Sequence, residues 1–484
     1  MRLLSALLFA VTLAAAVKLP PYTRQLLPNG AVLDVMPRRD VPLVTIRILI
    51  KGGAESDPAE MPGLSSVVAE MLRRGTAKRS AEKFSQDLDE LGATLSADTD
   101  DESTAISLEF LAKDFAAALN LLQDAVLQPT FPEAEIKKLI AQRIDGVKSV
   151  KDSPQSAAGL YYRAFFFGTN HPYGRLPDEA AYAGMTRAAI VEYHKKMYVG
   201  KNLILITGGD FDLNAASQKI AAVFGKLPEG RPYVWKQAAS AAPHGSRLAL
   251  VDKPDATQTY FYIAQPGIPR NHPDRIPLWL VNTLFGGRFT SMLMQELRVA
   301  SGLTYGAYSR FDLSHLPGSL AVVSFSETDN TLKALDLALD VLRRLGDKGI
   351  SAEQLESAKT YIKGVYPSDR LETADQLAET LGEIELNDLN RNEVDDLFQR
   401  IDSVTLDTAN QIARKYYRDD NLTFLLLGNA QKFRTGVRKY AKDIFEVAIT
   451  TPGFAVQPSG KPSPGASRQS GDAIPAPIHK ENSR

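Results

Sequence analysis

With 484 residues, 44% of them hydrophobic and 23% charged, the chain can bury more than one core and reads as globular rather than disordered. Its 56 Lys and Arg balance 57 Asp and Glu to a net charge of -1, which removes the cationic footprint that nucleic acid or an anionic membrane surface requires. The absence of cysteine excludes a disulfide scaffold, a thiol nucleophile and Cys-ligated zinc, so any metal would have to be held by His and carboxylates.

At the start of the chain, Arg2, apolar Leu3 to Leu13 and small Ala14, Ala15 and Ala16 have the form of a signal peptide, residues 1–16, with cleavage expected after Ala16. The apolar stretch is shorter than the roughly 20 residues that span a bilayer, and Lys18, Pro20 and Pro21 end it. No later segment is long and apolar enough to be a membrane span. Export to a bacterial periplasm or exterior is therefore the expectation.

The next segments mix strand and helix patterns. Leu43 to Lys51 and Ala105 to Leu111 alternate apolar and polar residues, the period of a half-buried strand. Residues 80–91, 113–127, 132–151 and 186–198 carry apolar side chains at helical spacing, with Thr186 placed to cap the last of them. Gly63 to Thr76 reads as one helix whose Leu64, Val67, Val68, Met71 and Leu72 form a core stripe. Ser66, Ala69 and Glu70 fall on the opposite side, toward a cavity or solvent. Glu70 precedes Arg73 and Arg74 by three and four residues, the spacing of a surface ion pair worth a few tenths of a kcal/mol.

A weak internal repeat divides the chain. Asn202-Leu203-Ile204-Leu205-Ile206-Thr207-Gly208-Gly209 recurs from Asn421 to Asn429 at an offset of 219 residues, each copy after a tyrosine-bearing helix and each reading as a buried strand leading into a helix. Two homologous domains follow, residues 17–226 and 247–449, joined by a linker at 227–246 that is broken by Pro228, Gly230, Pro232, Pro243 and Gly245. The second domain repeats the mixture, with strands at 247–253, 258–264, 304–312 and 319–326 and helices from 330 to 417. Strands grouped before helices predict an α+β fold, each domain a mostly antiparallel sheet with helices on one face. Residues 450–484, rich in Pro, Gly, Ser and Ala, are expected to be a disordered tail.

The Gly63–Thr76 segment resembles the inverzincin metallopeptidases, the family of pitrilysin, insulin-degrading enzyme and mitochondrial processing peptidase, and is most similar to their short bacterial members. In that family a Gly-Leu-x-His-x-x-Glu-His-Met-x-x-x-Gly-Thr helix presents two zinc ligands and a general base. Here the frame survives in Gly63, Leu64, Met71, Leu72, Gly75 and Thr76, preceded by Gly53, Asp57 and Pro58, but Ser66 and Glu70 stand at the histidine positions and Ala69 at the base. The family's third ligand is a Glu some 75 residues further on, and no glutamate lies between Glu135 and Glu179. None of the six histidines lies three or four residues from another, so no two share a helical face.

The second domain is similar to the family's C-terminal signature. Asn282 to Gly287 resembles an Asn-x-x-Leu-Gly-Gly turn, and Arg298, Gly302, Leu303 and Tyr305 match Arg-x-x-x-Gly-Leu-x-Tyr. His171-Pro172-Tyr173-Gly174 belongs to the same likeness, which runs from about Leu26 to Phe445. The resemblance implies that Arg298 and Tyr305 reach across to a zinc site and hold substrate backbone; an arginine fork and a phenol are donors suited to a carbonyl oxygen that gains charge. It also implies a half-chamber that closes, like a clam shell, on a homologous zinc-bearing subunit. The expectation is a non-catalytic subunit of a heterodimeric zinc peptidase acting on unfolded peptides, with no metal or cofactor on this chain. A metal-less peptide-binding or structural module without a part in hydrolysis is the alternative, and an autonomous peptidase with an unrecognised metal site the third reading.

Overall fold

The computed structural model describes residues 17–236 and 245–456. The signal-peptide expectation at 1–16, linker residues 237–244 and tail residues 457–484 lie outside them. Strands β1 (Thr23–Leu26), β2 (Val32–Pro37), β3 (Leu43–Lys51), β4 (Thr94–Thr99), β5 (Ser103–Leu111) and β6 (Leu203–Gly209) form one sheet in the order β1-β2-β6-β3-β5-β4. Strands β7 (Arg247–Asp252), β8 (Gln258–Pro266), β9 (Ala307–Leu313), β10 (Pro317–Glu327), β11 (Thr423–Gly428) and β12 (Asp443–Ala448) form the other, ordered β12-β7-β11-β8-β10-β9. All neighbours are antiparallel except β2 with β6 and β7 with β11 and β12. The two orders superimpose strand for strand, the repeated β6 and β11 at equivalent central places and buried along their whole length. Only the edge beside β2 and β7 is built differently, from β1 before it and from β12 at the far end of the chain. After β11 the chain takes short 3₁₀ turns rather than the expected helix.

Helices start where the sequence supplies caps. The Ser80 and Thr186 side chains accept the Lys83 and Ala189 amides, and Ser351 and Thr373 form capping boxes with Gln354 and Gln376, each cap worth about 1 kcal/mol. The helix after β3 covers Leu64–Met71 only; the chain then turns, and Gly75 bridges to Ser80.

Each domain covers one face of its own sheet with its own helices, as the sequence implies. The other face is covered by exchange. The helix Pro154–Phe167 of the first half lies on the second sheet, where Tyr162 stacks on Tyr262 with centroids 4.4 Å apart and Phe165 meets Phe445 edge-on at 5.3 Å. Reciprocally, the helix Ala374–Leu386 of the second half lies on the first sheet, packing Leu377, Leu381 and Ile384 against Met36, Leu49 and Ile206. Gly382 makes this approach possible: a Cβ there would sit 2.8 Å from Cδ1 of Leu49. The linker adds Trp235, stacked on His315 at 3.9 Å. The start of the expected tail is built in as well: Phe454 is buried edge-on against Tyr161, and Gly453 donates its amide to Glu179.

Candidate functional site

The helix Leu64–Met71 is fixed at its first turn by Asp57, whose carboxylate accepts the Gly63 and Ser65 amides at 2.6 and 2.8 Å. Burial pushes the Asp57 carboxyl up to about 6 despite those hydrogen bonds. The core stripe is as expected: Leu64, Val67, Val68, Met71 and Leu72 are all buried. The opposite side differs. Ala69 is 0% exposed, so it faces neither cavity nor solvent. The reason is tertiary packing that the helical wheel cannot reveal; on the Ser66 and Glu70 side the neighbour is the helix Glu133–Ser149, which sends the Arg143 guanidinium to Ser66 Oγ at 3.3 Å.

Glu70 is paired as its spacing predicts, but inside a partly buried cluster rather than on an open surface. Arg73 donates to both carboxylate oxygens at 2.8 and 3.0 Å, and Arg74 to Oε1 at 2.9 Å. Arg74 continues to Gln142 on the crossing helix. Burial raises the Glu70 carboxyl, yet the two arginine hydrogen bonds outweigh it and hold the group below the usual carboxylate range. A hydroxyl, a methyl group and one carboxylate already gripped by two guanidinium groups do not fit a zinc ion, which takes three or four neutral-imidazole, thiolate or carboxylate donors. Among the described residues, no three His, Asp or Glu side chains stand together as a metal site would require. His171 is buried and accepts the Tyr173 amide; His194 meets the Val126 carbonyl, and burial lowers it to about 4.

Arg298 and Tyr305 sit in a different setting. The helix Arg275–Phe285 ends at Gly286, pressed so close to β9 that a Cβ would lie 2.3 Å from the Ser309 amide. A π-helical turn, Met294–Ala300, then carries Arg298 and stops at Gly302, whose φ of +66° reverses the chain. The amides of Leu303 and Thr304 both return to the Leu297 carbonyl, and Thr304 and Ser324 hydroxyls hold the Gly306 carbonyl. The loop is thus pinned at its base while its tip projects. Tyr305 precedes β9 instead of lying within it and is 79% exposed. The Arg298 guanidinium lies 4.9 Å from the centroid of the exposed Phe289 ring. Among the described residues, no acceptor engages either polar group, and no contact links them to Ser66, Ala69 or Glu70. Exposed Val299 and Tyr308 extend the patch, and Arg288 stands over Tyr361 at 5.6 Å.

Sequence reasoning did not find the role of Tyr173 in the His171–Gly174 motif. Its hydroxyl donates to Glu102, which also accepts the His315 amide at 2.6 Å, so the motif ties the turn between β4 and β5 to the loop between β9 and β10 of the other half. The family resemblance took in these residues, but only the fold shows that they form a joint between halves.

Comparison with known proteins finds likenesses of family and fold. The family described as insulinase, peptidase family M16, matches residues 36–171, and the M16 inactive domain matches residues 184–362. An uncharacterized zinc protease of Mycobacterium tuberculosis is 27% identical over 81% of this chain and 90% of its own. A non-peptidase homolog of Helicobacter pylori is 22% identical over the same shares. The crystal structure of a peptidase M16 inactive domain from Pseudomonas fluorescens superimposes with a TM-score of 0.78 at 25% identity, covering 84% of this chain and 98% of that one.

Proposed function

We propose that this chain, which belongs to peptidase family M16, is the non-catalytic subunit of an exported two-chain zinc peptidase. A homologous subunit would supply the metal, its ligands and the general base. This chain would close the chamber over unfolded peptide and present Arg298 and Tyr305 to the substrate backbone beside the partner's zinc.

The observation that carries the reading is the contrast between the two motifs. The helix that would hold zinc has its one carboxylate neutralised by Arg73 and Arg74 and its base position sealed at Ala69. The Arg298 and Tyr305 donors stand unsatisfied on a pinned loop within an exposed aromatic patch. Donors held in place but lacking an acceptor suit an oxyanion that forms only during attack on an amide. An extended peptide has a further anchor in β4, the edge strand of the first sheet, whose outer side pairs with no other strand among the described residues. Among the described residues, no helix is long and apolar enough to cross a membrane.

Reconstitution tests the reading. The chain, an exported paralogue with an intact zinc motif, and their mixture are each assayed for cleavage of an unfolded peptide. Cleavage by the mixture alone, with zinc only on the paralogue, is the expected result. Stoichiometric zinc and peptidase activity in this chain by itself would overturn it. Stable assembly without any gain in cleavage would favour the metal-less peptide-binding or structural module.

A further inference from the structure

We propose that a pocket beside Arg143 binds the free carboxylate of a peptide that ends in an apolar residue. The pocket has a volume of about 280 Å³ and opens between the helices Glu133–Ser149, Pro154–Phe167 and Glu179–Ala183. Val147, Leu160, Leu176, Pro177 and Phe454 form its walls, and Arg143, Tyr182 and the Gln142 amide bring the side-chain hydrogen-bond donors among its described lining residues. It is separate from the Arg298 patch and needs no partner subunit.

Arg143 is a guanidinium with little to do. Its one side-chain hydrogen bond among the described residues is the 3.3 Å contact to Ser66 Oγ; its Nε is buried and has no acceptor, and no carboxylate pairs with it. The acceptors nearest in sequence on the two crossing helices are taken, Gln142 by Arg74 and Glu70 by Arg73 and Arg74. Tyr182 is 6% exposed, packs its hydroxyl toward Gly63, and makes no hydrogen bond among the described residues. Arg143 is half-buried, and its Nε is buried without an acceptor; a donor withdrawn from water and left unpaired is costly, and a ligand that pairs with the guanidinium offsets part of that cost. The fork geometry of arginine selects a planar carboxylate, and the apolar walls select what the carboxylate is attached to. A peptide C-terminus with an aliphatic or aromatic last side chain meets both requirements.

The choice of a peptide as ligand rests on the functional reading above, but the test uses the chain alone and so fails or succeeds independently of it. Calorimetric titration compares a short acetylated peptide ending in leucine as the free acid with the same peptide as the C-terminal amide. The free acid should bind and the amide should bind about tenfold more weakly or worse, the loss typical of one charge-assisted hydrogen bond. Arg143→Ala should abolish the preference, Arg143→Lys should keep part of it, and Tyr182→Phe should weaken the acid a few-fold. If Arg143→Ala is misfolded by thermal unfolding, the acid-to-amide ratio on the unaltered chain decides. Equal binding of acid and amide, or binding of neither, overturns the proposal while leaving the reconstitution experiment untouched.

Discussion

The two halves share a strand order and a 219-residue repeat, yet the segments that follow the equivalent strands β3 and β8 have had opposite fates. After β3, the helix Leu64–Met71 is closed: its outer face lies under the helix Glu133–Ser149, and its one acid is bound by two arginines. After β8, the π-helical turn and Gly302 loop are open, with Arg298, Tyr305 and Phe289 exposed. Sheet topology is retained because it organises some hundred buried side chains. A site on its rim is a handful of side chains and can be closed in one copy and kept open in the other without disturbing the core. The exchanged helices differ as well. The bed under Pro154–Phe167 is mostly apolar and aromatic, and Arg247, a charged contact there, is satisfied by the Phe166 carbonyl and the Phe165 ring, whereas the bed under Ala374–Leu386 contains Asp34, fully buried with neither carboxylate oxygen hydrogen-bonded.

The sharpest way to break the contrast is through the open site. Arg298→Ala should lower turnover of the reconstituted pair by 10²- to 10³-fold, the loss expected of one donor to a developing oxyanion. Assembly of the pair and its melting temperature should not change, because Arg298 makes no hydrogen bond or ion pair within the described chain. Unchanged turnover would place the open loop outside the chemistry. The exchange of helices is tested by Leu381→Ala, which empties a fully buried position in the cluster it forms with Leu49 and Ile206 and should cost about 3 kcal/mol in urea unfolding. A cost below 1 kcal/mol would mean that the helix Ala374–Leu386 is not integral to the first domain.

Much of the fold was legible in the sequence, and for identifiable reasons. The strands β3 and β5 announce themselves by alternation, and the repeat fixed two domains because β6 and β11 are buried along both faces in the same way. The exchanged helices were not legible: the helix Pro154–Phe167 carries Tyr161, Tyr162, Phe165 and Phe166 on a broad apolar surface, and apolar periodicity says that a face is covered without saying by which sheet. The Glu70 ion pair could be read because its partners lie three and four residues away. Arg143 could not, since it comes from 77 residues beyond Ser66 and no local period connects them. The burial of Ala69 was missed for the same reason. A helical wheel gives a direction, and only tertiary structure supplies the neighbour.

The difference between the two helix beds has a pH signature. Burial, with a smaller push from Glu385 and an opposing pull from Arg24, raises the Asp34 carboxyl to about 7. The folded chain therefore binds a proton that the unfolded chain has released above about pH 4. The stabilising contribution is complete below that value and is lost as pH rises through about 7. Asp34→Asn should flatten this dependence and raise stability at pH 8 by about 1–2 kcal/mol, the amide retaining part of the cost of burying a polar group. Urea unfolding at pH 5 and pH 8 gives the comparison, and an unchanged difference between the two pH values would show that Asp34 is not the group responsible.

The smallest expected effect falls on the closed site. Glu70→Gln keeps the shape and both acceptor lone pairs of the carbonyl oxygen but removes the charge that Arg73 and Arg74 share. Because Glu70 titrates below its ordinary value in the folded chain, its contribution is present at neutral pH and disappears as pH falls through that lowered value. The side chain of Arg73 is 46% exposed and that of Glu70 15%, so solvent screens much of the attraction, and the substitution should cost less than about 1 kcal/mol at pH 7. Zinc content should stay unaffected, since no ligand set is altered. A loss above about 3 kcal/mol would instead mark a fully desolvated charge cluster, and the closed site would then be a structural keystone of the first domain rather than a rim feature that the sheet can do without.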